Sequence, residues 1–129
     1  MVDTIQPTSG VHETSRLISS EKVTDSNVEN VRGDSLGHIH DIMIDKTSGR
    51  VAYAILKYGS FLGIGGKLFA LPWDTLKYDT SRDAYLINIP DDRLKNAPSF
   101  DEGSEPNWGD AQYAKQIHDY YGSSADWYF

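Results

Sequence analysis

Short runs of β-forming residues, separated by tight-turn composition, fill the middle of this chain and constrain its fold most. Residues 51–58 (VAYAILKY) are rich in β-branched and aromatic types, and the turn before them carries Gly49, which can adopt a positive φ. The run at residues 37–45 breaks its alternation near Asp41, which predicts a β-bulge there. The two runs together predict a hairpin. No helical pattern separates successive strands, so the sequence indicates an all-β domain.

The second half of the domain predicts further strands and one short helix. Strands are expected at residues 67–73, 76–79 and 84–89, the last two joined by the turn composition TSRD. Acidic residues that follow a proline predict a helical turn over residues 91–97, because carboxylates favour a helix N-terminus. The predicted fold class is therefore all-β, a small barrel of about six strands with one short helical turn and a C-terminal helical, aromatic tail.

Composition divides the chain into three parts. Residues 1–15 are polar and aperiodic, and we interpret them as a disordered N-terminal arm. Residues 16–98 form the barrel, and residues 99–129 form an acidic linker with an aromatic tail. The net charge is −7, and residues 99–129 carry one lysine against six acidic residues. Nucleic acids and anionic lipid surfaces attract basic fields, so we expect no direct nucleic-acid binding.

The chain has no cysteine, which excludes disulfides, thiolate catalysis and cysteine-ligated metals. Its longest mainly apolar stretch, residues 61–73, contains glycines and a lysine and is too short to cross a bilayer. The N-terminus has neither the basic nor the apolar region of a signal peptide. We therefore expect a cytoplasmic protein without membrane insertion.

The C-terminal segment is one candidate contact surface. Residues 108–121 predict a helix, with Gly122 placed as its C-terminal cap. Seven of the fifteen aromatic residues lie between positions 108 and 129. Aromatic side chains stabilise interfaces within a chain or between chains, so packing on the same barrel and packing on another subunit both stay open. The candidate partner-binding residues here are Trp108, Tyr113, Ile117, Tyr120, Tyr121, Trp127 and Phe129.

A glycine-rich loop at residues 59–66 (GSFLGIGG) is the other candidate surface. The Lys67 that follows suggests a phosphate-binding loop, but Leu68 lacks the hydroxyl that would bind magnesium, and no helix follows. Apolar side chains on this loop would form an interface patch if exposed, or cap the barrel if folded back. The side chains concerned are those of Phe61, Leu62 and Ile64.

Two histidines are the candidates for a metal site. His38 and His40 are two residues apart on a predicted strand, so both imidazoles would face the same side. Such a pair can bind zinc or nickel, with a third ligand from Asp45, His118 or a partner. A solvated polar strand face is the simpler explanation. We expect no metal and no cofactor.

No catalytic constellation is apparent. Neighbouring carboxylates, as at residues 91–92 and 101–102, do not converge on one substrate, and helix capping and solubility explain them better. Serine, histidine and aspartate are present, but without a nucleophile-elbow pattern. We expect a protein that is not an enzyme.

The motifs between residues 15 and 98, taken together and in order, resemble the PRC-barrel family. The resemblance implies a small barrel used as a docking module and brings no catalytic residues. Two settings are known for the family: the cytoplasmic part of the photosynthetic reaction-centre H subunit, and the C-terminal domain of a bacterial ribosome-maturation factor. The matching motifs are RLI at 16–18, GHIHDIMID at 37–45, TSGRVAYA at 47–54, GSFLGIGGK at 59–67, ALPW at 70–73 and DRLKNAP at 92–98.

This sequence lacks the H subunit's transmembrane helix and the maturation factor's separate N-terminal barrel, so we expect the stand-alone bacterial type. The function expected is a non-catalytic protein–protein interaction or adaptor module that forms a homodimer. Two alternatives are an H-subunit-like soluble accessory of a photosynthetic electron-transfer complex and an accessory of RNA processing or ribosome maturation. The acidic balance argues against direct RNA contact in the latter.

Overall fold

The computed structural model describes residues 17–59 and 66–122. A 3-10 turn at Trp73–Thr75 joins the fourth strand to the fifth. Strands and helices within the described residues are, in chain order, α1 Ser20–Val23, β1 Asn27–Glu29, β2 Ser35–Ile44, β3 Val51–Tyr58, β4 Leu68–Pro72, β5 Leu76–Asp79, β6 Ala84–Ile87, α2 Asp91–Lys95 and α3 Ala111–Tyr121.

The six strands form one sheet in the order β4-β3-β2-β1-β6-β5. All neighbours are antiparallel except β1 and β6, which run parallel. The sheet curls into a half-barrel whose two outermost strands, β4 and β5, follow each other in the sequence. The all-β fold class and the predicted total of about six strands are confirmed, and five of the six strands were located in the sequence. Strand β1 and helix α1 were not predicted.

The β2–β3 hairpin follows the sequence signals closely. The register passes from Ile39 opposite Leu56 to Asp41 opposite Ile55, so His40 is the additional residue of the predicted bulge. In the turn, the Asp45 carboxylate accepts hydrogen bonds from the backbone N–H and the hydroxyl of Ser48. The hydroxyl bond, the largest contribution, lowers the pKa of Asp45.

One glycine fixes how closely β2 approaches β3. Gly37 has φ +148°, and a Cβ built there would lie 2.0 Å from the carbonyl oxygen of Lys57. Only glycine fits such a backbone contact without a shift of one strand. Gly49, in the hairpin turn, has φ +78° as predicted, and a Cβ there would meet nothing within 4 Å.

The concave side of the sheet encloses the main apolar core, which we call the inner cluster. Leu94 of α2 closes one side of it and is fully buried. Its other buried members come from α1, from the strands and from the second residue after α2: Val23, Val28, Leu36, Ile39, Ala54, Leu56, Tyr58, Phe69, Leu71, Leu76, Tyr85, Ile87 and Ala97.

Helix boundaries differ from the predicted ones for local reasons. Helix α3 begins at Ala111, three residues later than predicted, because the Asp110 side chain caps it by accepting from the backbone N–H of Gln112 at 2.9 Å. It ends at Gly122, the predicted cap, with φ +70°. Strand β6 ends at Ile87, next to the end of its parallel partner β1.

Candidate interaction surface

Strand β3 is buried on both of its faces. Its residues 52–56 form an unbroken buried run, whereas a strand with one face in water alternates between buried and exposed. Ala54 and Leu56 belong to the inner cluster, and Tyr53 and Ile55 point to the convex side of the sheet. The convex side of this barrel is therefore apolar at β3.

A second apolar cluster, which we call the outer cluster, lies on that convex side. It combines side chains from β3 and β4 with Ile117 of α3, which is fully buried. Partly buried side chains of Met43, Phe100, Trp108, Tyr113 and Tyr121 surround it. The buried members from the sheet are Ala52, Tyr53, Ile55, Leu68 and Ala70.

The cover on this face is the segment of residues 100–122, which we call the strap. It begins with one antiparallel bridge, in which Phe100 and Leu68 exchange two backbone hydrogen bonds of 2.9 Å. The chain then crosses β3 and continues into α3, whose Ile117 contacts the outer cluster. Since Leu68 and Phe100 pair at the edge of the sheet, the strap also covers the start of edge strand β4.

Aromatic rings hold the strap to β3. The Trp108 ring lies between Tyr53 at a centroid distance of 5.5 Å, Phe100 at 6.0 Å and Tyr113 at 5.8 Å. The Tyr53 ring also contacts the buried imidazole of His118 at 5.7 Å. These separations fall in the range of favourable aromatic pairs, each worth about 0.5–1.5 kcal/mol beyond area burial.

Ion pairs fix the acidic start of the strap. Lys67 Nζ lies 2.8 Å from Asp101 Oδ1, and Lys57 Nζ lies 3.3 Å from Glu102 Oε1. The same Glu102 carboxylate lies 3.8 Å from His40 Nε2. The Asp101 and Glu102 side chains are 68% and 60% exposed, so each pair contributes roughly 0–1 kcal/mol.

The C-terminal end of α3 docks on α2. Arg93 lies over the Tyr120 ring at 4.3 Å from its centroid and donates to the Tyr120 carbonyl, while the Tyr120 hydroxyl donates to the Arg93 carbonyl. Next to this contact, burial raises the pKa of the Tyr58 and Tyr121 hydroxyls. Both hydroxyls are buried without a hydrogen-bond partner among the described residues.

The structure brings together the described part of the predicted tail surface. Ile117 is buried, and Trp108, Tyr113, Tyr120 and Tyr121 are partly buried. In the single chain that the structure describes, these side chains pack on the barrel of the same chain. The other candidates, Phe61, Leu62, Ile64, Trp127 and Phe129, lie outside the described residues.

Sequence reasoning missed the sheet side of this surface. Tyr53 and Ile55 were predicted to lie in a strand, but not to face a covering helix. The signal was present in VAYAILKY, where both alternating sets of side chains are apolar. Leu68 and Ala70 belong to a five-residue strand that is buried throughout, and carry the same signal.

His38 and His40 do not behave as a pair. His38 Nε2 lies 3.9 Å from Asp25 Oδ1, whereas the nearest carboxylate to His40 is that of Glu102 on the strap. The strand spacing that predicted a shared face assumes a regular pleat, and the bulge at His40 interrupts it. Across residues 17–59 and 66–122, no three histidine, aspartate or glutamate side chains are grouped to hold a metal ion.

A polar cleft of about 310 Å³ lies beside Asp25. Its lining includes an ammonium group, two carboxylates and small polar side chains, and it is wide open to solvent. The lining residues are Lys22, Thr24, Asp25, Ser26, Asn27 and Asp83.

Comparison with protein families matches residues 17–94 to the PRC-barrel domain. The chain belongs to the PRC-barrel family. The match covers more than half of the sequence and confirms the resemblance seen in the motifs. It ends inside α2, so the strap lies outside the matched PRC-barrel domain.

A search of curated proteins found no match. Within the part of the chain that the structure describes, no helix has the length and apolar character needed to cross a membrane.

Proposed function

We propose that this PRC-barrel protein is a non-catalytic protein–protein interaction module that associates with itself. The observation that carries the proposal is the apolar convex face of β3 and β4, where Tyr53, Ile55, Leu68 and Ala70 are buried beneath an aromatic helix. A small barrel that only enclosed its own core would leave polar residues on that face. The cores of protein–protein interfaces are enriched in aromatic and apolar side chains, and in this chain the strap occupies such a face.

The charge distribution supports a protein partner over a nucleic acid. The net charge is −7, and the two lysines beside the convex face, Lys57 and Lys67, are already paired with the carboxylates of Glu102 and Asp101. A phosphate backbone would be repelled by such a surface. Our proposal therefore keeps protein docking from the family resemblance and leaves out direct RNA contact.

Light scattering of the full-length chain over a range of protein concentrations tests the proposal. Self-association predicts a mass that rises from 14.4 kDa, the mass of one chain, to twice that value. A parallel affinity capture from the native host identifies other partners. Reaction-centre proteins among them would favour the H-subunit-like alternative, and ribosomal proteins the ribosome-maturation one. A 14.4 kDa species at every concentration, together with no stoichiometric partner, would contradict the proposal.

A further inference from the structure

The strap is built as a separable unit. Helix α3 has its own N-cap at Asp110 and its own C-cap at Gly122, and Lys115 and Asp119 form an ion pair of 2.7 Å within it. Residues 101–107, which lead into it, are exposed except for a half-buried proline. Removal of the strap would leave the six-stranded ladder of the barrel intact, because the strap contributes only the bridge at Leu68.

The bonds between strap and barrel are of two kinds. The ion pairs at Asp101 and Glu102 are exposed and are weakened by salt. The aromatic and aliphatic contacts at Trp108 and Ile117 are buried and depend on shape. Both ion pairs, the Trp108–Tyr53 contact and the packing of Ile117 join the strap to the barrel, so a strap from another molecule would make the same set.

We propose that the convex face of β3 and β4 is a docking site for the strap of a second copy of this chain, exchanged for the copy's own strap. The inference rests on the proposed self-association and assigns it a surface. The charges agree with this occupant, since Lys57 and Lys67 beside the face meet the carboxylates of Asp101 and Glu102. Exchange of an identical element is a low-cost route to a dimer because no new interface has to be built.

The position of the hinge permits the exchange. The exposed Ser99, between buried Ala97 and the strap, is the point at which the whole strap, with Asp101 and Glu102, would turn away from its own barrel. The intramolecular strap competes at an effective concentration of about millimolar, so the closed monomer prevails in dilute solution. Exchange then increases with protein concentration or when the strap is weakened.

A labelled synthetic peptide of residues 99–122, added to full-length variants, tests the docking site directly. The variant Ile117→Asp places a charge at the fully buried strap position and leaves the sheet side of the face unchanged. The matched control Gln116→Asp adds the same charge at the neighbouring exposed position. We expect the peptide to bind Ile117→Asp roughly tenfold or more tighter than wild type or Gln116→Asp, because only the first variant has an open face.

A second variant keeps the test falsifiable if Ile117→Asp perturbs the barrel. Ala70→Glu, in the background of Ile117→Asp, places a carboxylate on the face itself and should abolish the peptide binding. Hydrogen exchange of β2 and β3 shows whether each barrel is folded. A folded Ile117→Asp barrel that does not bind the peptide overturns the proposal. If the Ile117→Asp barrel is unfolded, the same peptide measurement is made on Trp108→Ala, which removes strap contacts without adding a charge. Peptide binding to that variant supports the proposal, and a folded variant that does not bind overturns it.

The outcome separates this inference from the proposed function. Peptide binding to the opened face, combined with a monomeric wild type, would retain the docking site and refute self-association of the native chain. Dimeric wild type, combined with no peptide binding, would retain self-association and refute the exchanged strap.

Discussion

The inner and outer clusters are both apolar and both buried, but they depend on different parts of the chain. The inner cluster is enclosed by the curled sheet, and all its buried members lie between Val23 and Ala97, with Tyr120 and Tyr121 of the strap packed against its margin. The outer cluster is buried only where the strap of residues 100–122 covers it. The first belongs to the cooperative unit that unfolds globally, whereas the second can open locally. The matched PRC-barrel domain and the strap contact thus share the same two strands.

The largest effect on stability is expected at Gly37, where the backbone of β2 lies directly against the backbone of β3. In Gly37→Ala, the new Cβ would lie 2.0 Å from a backbone oxygen in a positive-φ conformation, so we expect a loss of roughly 3 kcal/mol or more in the free energy of unfolding. Gly49→Ala, with φ +78° and open space around the Cβ, should cost only about 1–2 kcal/mol. Urea denaturation measures both. Equal losses in the two variants would show that the close approach is not a constraint.

The sequence predicted the inner cluster better than the outer one, for physical reasons. Strand β3, the bulge near Asp41 and the turn at Gly49 follow from local residue preferences, which are visible in one sequence. Strand β1 has only three residues, and its parallel partner β6 lies more than fifty residues later in the sequence. No local sequence pattern therefore reveals β1. The burial of Tyr53 beneath Trp108 is likewise non-local.

Truncation of one side chain in each cluster tests whether the two regions are energetically distinct. Leu56→Ala, in the inner cluster, should cost about 3 kcal/mol of global stability. Ile117→Ala, in the outer cluster, should cost less, about 1–2 kcal/mol, because the loss cannot exceed the free energy that holds the strap down. Urea denaturation measures the loss in Leu56→Ala, and hydrogen exchange of the amides of Ala111–Tyr121 measures the loss in Ile117→Ala.

The clusters would have to be treated as one unit if Ile117→Ala accelerated exchange equally in α3 and in β2. Faster exchange in α3 alone would instead confirm the strap as a separate unit. Gln116→Ala, at the exposed neighbouring position, serves as the control and should change neither rate.

A smaller effect is expected at the helix cap of the strap. Asp110→Ala removes the acceptor for the Gln112 N–H and should lower the stability of α3 by about 1 kcal/mol. The change should appear as faster exchange in α3 with little change in the urea midpoint of the barrel. Asp110→Ser keeps an N-cap oxygen and should restore most of the protection. If serine and alanine behave alike, the cap does not stabilise the strap.

Tyr113→Phe is expected to have the smallest effect on the free energy of unfolding at neutral pH. Its effect should appear only at alkaline pH. Burial against the outer cluster raises the pKa of Tyr113 to about 12, above the value near 10 of an unfolded tyrosine. Because the folded-state pKa is the higher one, this contribution is fully present below about pH 10 and is lost as the pH rises through about 12. Tyr113→Phe should leave the free energy of unfolding at pH 7 nearly unchanged. Above about pH 10, that free energy should fall less steeply with pH in the variant than in wild type.

Alkaline titration also compares the two clusters within one molecule. Burial raises the pKa of Tyr58 as well, and more strongly than that of Tyr113, because the Tyr58 hydroxyl lies in the inner cluster beside Tyr121 of the strap. Ionisation of Tyr113 requires only that the strap detach. Hydrogen exchange in α3 should therefore increase at a lower pH than exchange in β2 and β3. Tyr113→Phe should reduce the difference between these two pH values. Simultaneous loss of protection in both regions would mean that strap and barrel unfold as one cooperative unit, and that the convex face is not exposed while the barrel is folded.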